Sequence, residues 1–339
     1  MNKIPFGCLP TGEQAYLYTI QCGSLTAKIT DFGATLVSLL VPDRNGNMDD
    51  VLLGFDDISG YAASTAFIGA IVGRNANRIK GASFPLGGST VRLAPNEGSN
   101  NLHSGPDCFH TRLWTVTDHQ SDRITLRLES PHMDQGFPGN AVITVTYLLD
   151  SLKGLHIRYE GVSDRDTVFN LTNHAYFNLA GHHRTGEAME QYLSIPGRFF
   201  TADDAENIPT GELRDVAGTP MDFRKPKRIG RDIEMDYDAL KLQGGYDHNY
   251  EVFCNPCAIL SHSASGRTMA VYTDCPGIQL YAGNYLNEEN GKGGVVYGKR
   301  SGVALETQFY PDSLNHPQWK QPVTPAGEPY FSETVYRFD

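Results

Sequence analysis

The sequence predicts an all-β fold, a large single-domain antiparallel β-sandwich, and three observations carry that expectation. Short segments of alternating apolar and polar residues recur from end to end, the period-2 signature of half-buried strands. Turn signals separate them, among them Asp43-Arg-Asn-Gly, Gly87-Gly88 and Ser151-Leu-Lys-Gly154. Helical periodicity is weak, and strands at this density without interleaved helices point to sheet packed on sheet.

Taken in order, SLTAKITDFGATLVSLLVPD reads as two strands broken at Asp31–Gly33. DDVLLGF, RITLRLES, NAVITVTYLLD, LHIRYEGV, DTVFNLTNHAYFNL, GIQLYAGNYL, GVALETQ and ETVYRF follow as further strands. The best helical stretches are short, DISGYAAS after Phe55 and IGRDIEMDYDAL. No repeat period and no linker composition interrupts the series, so residues 1–339 are expected to form one domain.

Composition narrows the function. Apolar residues make up 40% and charged residues 20%, enough for a large core and against disorder. The net charge of −11, with no basic stripe, gives no electrostatic footprint for nucleic acid or anionic lipid. A small neutral ligand, or protein, is the expected partner. The opening MNKIPFGCLPTGEQ lacks the apolar core of a secretory signal. No apolar run approaches the ~18 residues of a membrane helix, and six scattered cysteines fit reduced thiols. The expected location is the cytoplasm.

Several motifs fail on context. Gly293-Gly-Val-Val-Tyr-Gly-Lys299-Arg300 nearly spells a phosphate-binding loop, but Arg300 stands where Ser or Thr is needed and a strand follows instead of a helix. Cys254-Asn-Pro-Cys257 has no second pair to complete a zinc site. Asn170-Leu-Thr matches a glycosylation sequon, yet lies within an expected strand.

Four stretches hold polar groups that a plain strand would not need. In NLTNHAYFNLAG, Asn170, Thr172, His174 and Tyr176 share one face of the expected strand. NNLHSG places His103 in a turn, and GGYDHNY sets Asp247 behind two glycines. VALETQ carries Glu306 between apolar neighbours, with Ala304 and Gln308 on its face. A buried unpaired carboxylate costs several kcal/mol, so Glu306 is expected at a partner, a wet cleft or a site. Singly, each residue reads more readily as structural, and periodicity alone does not bring the four together.

GRNANRI (73–79), NNLHSG (100–105), GFPGN (136–140), NLTNHAYFNLAG (170–181), GGYDHNY and LETQFYPDSLNHP (305–317) together resemble the aldose 1-epimerases, or galactose mutarotases. DFGATLVSLLVPDRNGNMDDVLLGFD is similar too, so the resemblance spans nearly the whole chain. It implies a single-domain β-sandwich that interconverts the α and β anomers of free aldoses such as galactose and glucose. It implies a cleft on one sheet, no metal or organic cofactor, and a monomer or homodimer.

Carried over by motif, the general base falls on Glu306, the general acid on His174, and a second histidine near the ring oxygen on His103. Sugar-binding positions fall on Arg78, Asn77, Asp247, Tyr176 and Gln279. Ser104 stands where the family often has glycine, and Arg74 offers a second guanidinium near Arg78. Tyr281, Tyr285 and Phe309 are alternatives for an aromatic platform beneath the sugar.

The chemistry suits these residue types. Anomer exchange removes a proton from the C1 hydroxyl and delivers one to the ring oxygen, and closure from the other face reverses both. A carboxylate and an imidazole, with ordinary pKa values of about 4.3 and 6.5, match the two tasks. A non-catalytic sugar-binding sandwich and a hexose-phosphate epimerase are the competing expectations.

Overall fold

The computed structural model describes residues 2–287 and 289–339, and the alternation of the sequence becomes antiparallel sheet. The stretch AVITVTYLL, Ala141–Leu149, alternates buried and half-buried residues without a break. It belongs to a nine-stranded sheet ordered Thr115–His119, Arg123–Ser130, Ala141–Leu149, Gly154–Ser163, Tyr330–Phe338, Thr268–Thr273, Ala258–Ser261, Tyr192–Ser194 and Lys227–Arg228. A six-stranded sheet runs Tyr176–Phe177, Val303–Gln308, Gly277–Tyr281, Asp247–Glu251, Phe199–Asp203 and Pro209–Asp215. A third sheet of five sequential strands spans Asn2–Cys8 to Met48–Asp50.

The two larger sheets pack face to face. Ile143, Val145 and Ile157 of the first join Ile278, Leu280, Val303 and Leu305 of the second in one apolar cluster. The Tyr336 hydroxyl donates to the Leu305 carbonyl at 3.0 Å, and the Phe177 and Tyr336 rings lie 4.9 Å apart. Because side chains alternate along a strand, Leu305 facing this core sends Ala304, Glu306 and Gln308 to the opposite face. That second face is also covered, since every residue of Val303–Gln308 is buried.

The turns form where their residues predict. Asp43 accepts from the backbone of Asn45 and Asn47 at 2.8 and 2.9 Å, closing the turn before Met48–Asp50. Asp57 caps the short helix Ile58–Ala63 by accepting from Ser59 N. The expected helix over IGRDIEMDYDAL is only partial. A 3₁₀ turn covers Ile229–Arg231 and a helix covers Asp238–Gln243. Between them Asp232 is held by Lys227 and Arg231, each at 2.8 Å, a side-chain alternative to helical pairing.

DTVFNLTNHAYFNL is the main departure from expectation. It forms three two-residue pieces that pair with three different partners: Val323–Thr324, Ile71–Val72, and the start of Val303–Gln308. Its polar row is not a solvated face. Asn170, 1% exposed, donates to Asn75 Oδ1 at 3.2 Å and accepts from Phe309 N at 2.9 Å. Asn173 donates to the Gly69 carbonyl at 2.7 Å. These amides join strands that do not share a ladder, and the sequon asparagine is enclosed.

Candidate active site

The covered second face of the six-stranded sheet is where the chemistry collects. Register sets Glu306 opposite Gln279, and Gln279 opposite Asn249. One pair along, Tyr176 lies opposite Ala304, Ala304 opposite Tyr281, and Tyr281 opposite Asp247. His174 precedes Tyr176–Phe177, fixed by His174 N to Ala70 O and Gly69 N to His174 O, both 2.9 Å.

The NLHSG turn approaches from above. His103 and Ser104 take left-handed backbone, φ +52° and +73°, an arrangement costing roughly 1–2 kcal/mol per non-glycine residue. Local bonds offset that cost. His103 N donates to Asn77 O at 3.1 Å, and the Ser104 hydroxyl accepts from Asn75 N at 2.8 Å while donating to Asn75 O at 3.0 Å. Ser104 therefore tightens the turn and ties it to GRNANRI.

A cleft of about 490 Å³ results, with Asn77, Arg78, His103, His174, Tyr176, Asp247 and Glu306 in its wall. Nε2 of His174 stands 3.6 Å from Glu306 Oε1. Facing atoms of His103, His174 and Glu306 all lie within 4.8 Å of one another. Glu306 Oε2 and His174 Nδ1 are buried with no hydrogen-bond partner among the described residues.

Burial sets the protonation states. It pushes Glu306 well above the usual carboxylate range, with Asp247 adding to the rise. It pulls His174 down to about 4 and His103 well below the ordinary imidazole value, with His174 and Arg78 adding to the fall. Burial thus favours an uncharged pair in which Glu306 and His174 hold one proton between them.

His103 has a defined tautomer. Its Nδ1 accepts from Asn77 N at 3.1 Å, so the neutral ring carries its proton on Nε2, toward the cleft. That bears on metal binding. Two histidines and a carboxylate are a plausible ligand set, but metal-bound histidines normally donate their second ring N–H. His103 does the reverse, and its Nε2 lone pair is unavailable.

The remaining expected residues take distinct places. Asp247 accepts from Gln279 Nε2 at 2.7 Å, and Gln279 accepts from Gln308 Nε2 at 3.2 Å. Gln279 is absent from the cleft wall and orients Asp247 from beneath. The Tyr176 ring lines the cleft, while its hydroxyl donates to Ala66 O at 3.0 Å. Arg74 is wholly buried elsewhere, donating to Ser130, Thr167 and the Pro138 and Gly139 carbonyls at 2.7–3.0 Å. It anchors GFPGN to GRNANRI. Of the aromatic alternatives, Tyr281 and Tyr285 line the cleft, whereas Phe309 lines a separate groove with Pro322 and Tyr330.

Phe67 and Glu97 are among the lining residues that escaped the sequence reading. Phe67, at φ +55°, packs its ring 4.7 Å from His103, 4.4 Å from His110 and 5.8 Å from His174. Glu97 pairs with Arg78 through two bonds, 2.6 and 2.9 Å. An aromatic residue just before the glycine of FIGAIVGR was the only signal for the first, and nothing marked the second.

Residues 16–337 match the family model described as aldose 1-epimerase. The chain belongs to the aldose 1-epimerase family. This family member is 38% identical to galactose mutarotase from Bos taurus, covering 100% of the chain and 98% of the relative. It is 37% identical to aldose 1-epimerase from Haemophilus influenzae, with 97% of each covered. The solved aldose epimerase homologue from C. elegans superposes with a TM-score of 0.88 at 32% identity, covering 96% of this chain and 99% of that one. This aldose 1-epimerase family member is accordingly an isomerase that interconverts the anomers of a sugar. Among the described residues, no helix is long and apolar enough to cross a membrane.

Proposed function

We propose that the substrates are free, uncharged aldohexoses such as galactose and glucose, and that the Glu306–His174 pair moves the two protons of ring opening and closure. The observation carrying this reading is the convergence of His103, His174 and Glu306 within 4.8 Å. The C1 hydroxyl and ring oxygen share one carbon, so acid and base must sit this close to reach both.

Glu306 takes the proton of the C1 hydroxyl as His174 delivers one to the ring oxygen. The charge-separated arrangement needed for that step has the same proton count as the uncharged pair, so none enters from solvent. After rotation about C1–C2, the ring closes from the other face and the transfers run backward. Each positioned transfer contributes typically ~10²–10⁴ in rate. His103, with its proton on Nε2, donates a hydrogen bond to the oxygen where negative charge develops.

The opened sugar must stay bound while its reacting end turns. Asp247 and Arg78 grip the far hydroxyls through charge-assisted hydrogen bonds, Asn77 lies beside them, and Tyr281 supplies an aromatic wall. Arg78 is already paired with Glu97, which disfavours a phosphate-bearing substrate.

Polarimetry on freshly dissolved α-anomers tests the reading. Accelerated mutarotation of galactose and glucose, with little on galactose 6-phosphate, is expected. No acceleration on free aldoses, or faster turnover of the phosphate, overturns it.

A further inference from the structure

Arg78 is the only Lys or Arg among the described residues of the cleft wall, which also carries the acidic side chains of Glu97, Asp247, Glu289 and the uncharged Glu306. Arg78 is nearly enclosed, with 10% of its side chain exposed, whereas Glu97 keeps 36%. Glu97 takes Nε and one terminal nitrogen of the guanidinium at 2.6 and 2.9 Å. Among the described residues, Nη1 alone is left without a partner. Burial opposes the guanidinium charge, and the hydrogen bonds to Glu97 together with the nearby Asp247, Glu97 and Asp203 more than restore it.

The turn presenting Glu97 is stapled in place. Asn100 N donates to Glu97 O at 2.9 Å, and Glu97 N to Asn100 O at 3.2 Å. Asn96 Oδ1 accepts from Leu102 N at 2.7 Å, and its Nδ2 donates to Leu102 O at 2.9 Å. Asn101–Leu102 in turn pairs with Arg78–Ile79. The cation therefore sits on one strand and its counter-charge on the turn leading into the partner strand, so their separation is fixed before any ligand arrives.

We propose that Glu97 is a specificity-determining residue: by clamping Arg78 and cancelling its charge, it makes the cleft accept hydroxyl-bearing sugars and reject aldoses carrying a carboxylate or phosphate. This rests on the reading that the aldose binds beside Arg78. An uncompensated buried arginine would offer a fork suited to an anionic group. With Glu97 in place, an incoming anion meets an occupied fork among carboxylates, and like charges forced together act against the wrong partner. A neutral sugar needs only the one free donor edge.

The test compares anomer exchange of D-galactose and D-galacturonate by the wild type, Glu97→Gln and Glu97→Asp. The Gln variant should raise the galacturonate-to-galactose ratio of kcat/KM on the order of tenfold, about the effect of one unit charge at a partly exposed site. The Asp variant, which keeps the charge, should hold the wild-type ratio. A purely structural ion pair would lower both substrates together, and an unchanged ratio in Glu97→Gln overturns the proposal. Should that variant not fold, the wild-type ratio measured from low to high ionic strength decides. Screening of the cleft charge should raise it, and a flat response overturns the proposal. Failure of the wild type to exchange galactose anomers would instead overturn the underlying reading.

Discussion

Glu306→Gln is expected to lose activity while leaving stability nearly unchanged. The amide matches the carboxyl in size, so packing around the strand is unchanged. Glu306 is 2% exposed, its Oε2 has no hydrogen-bond partner, and its other oxygen faces only His174 Nε2 at 3.6 Å. A buried polar group left unsatisfied costs about 1–3 kcal/mol, and burial further penalises any ionised carboxyl here. The glutamine amide leaves a polar group just as unsatisfied and replaces a carboxyl that burial already keeps uncharged, so stability is expected to change by no more than about 1 kcal/mol. For a chain of 339 residues this corresponds to a shift in Tm of roughly 1–2 °C at most. The same change deletes the base, with an expected loss of ~10²–10⁴ in kcat. Thermal unfolding and polarimetry on one preparation measure both, and calorimetry with galactose checks that binding persists. Activity within tenfold of wild type, or a Tm several degrees lower, would refute the reasoning and make Glu306 a structural residue.

Other perturbations separate the roles of neighbouring groups. His174→Asn should lower kcat by a similar ~10²–10⁴, and a wild-type rate would remove it as the proton donor. The profile of kcat/KM against pH should stay level through neutrality, because the active form carries one proton on the pair. It should fall on the acid side as His174 takes up a second proton near 4, and an acid limb near the free-imidazole value of about 6.5 would contradict this. Tyr176→Phe should cost about 1 kcal/mol in stability with KM nearly unchanged, since its hydroxyl holds the Ala66 carbonyl. A large rise in KM would mean that the hydroxyl contacts sugar. Asp247→Asn should raise KM more than it lowers kcat, and the reverse would place Asp247 in proton transfer.

The sheets and most of the site were legible in the sequence because their signals are local. Alternation marks Ala141–Leu149, and Asp43 with Gly46 marks its own turn. Glu306 stood out because a carboxylate in an apolar strand needs a reason. Periodicity misread NLTNHAYFNLAG, since Asn170 and Asn173 satisfy distant backbone that no local pattern reveals. Local pattern singled out His103, His174, Tyr176, Asp247 and Glu306 one by one, but only family resemblance joined them into one cleft and added Asn77 and Arg78. Glu97 was missed for a related reason. An acidic residue in a polar turn looks like any solvated loop until the fold sets it against Arg78.

The central claim is that this protein exchanges anomers through Glu306. Saturation transfer between the anomeric protons of α- and β-galactose at equilibrium measures that exchange without net reaction. Irradiating the α signal should attenuate the β signal in the presence of the wild type and leave it at the buffer level with Glu306→Gln. Transfer no greater than buffer with the wild type, or equal transfer with both proteins, would contradict the account.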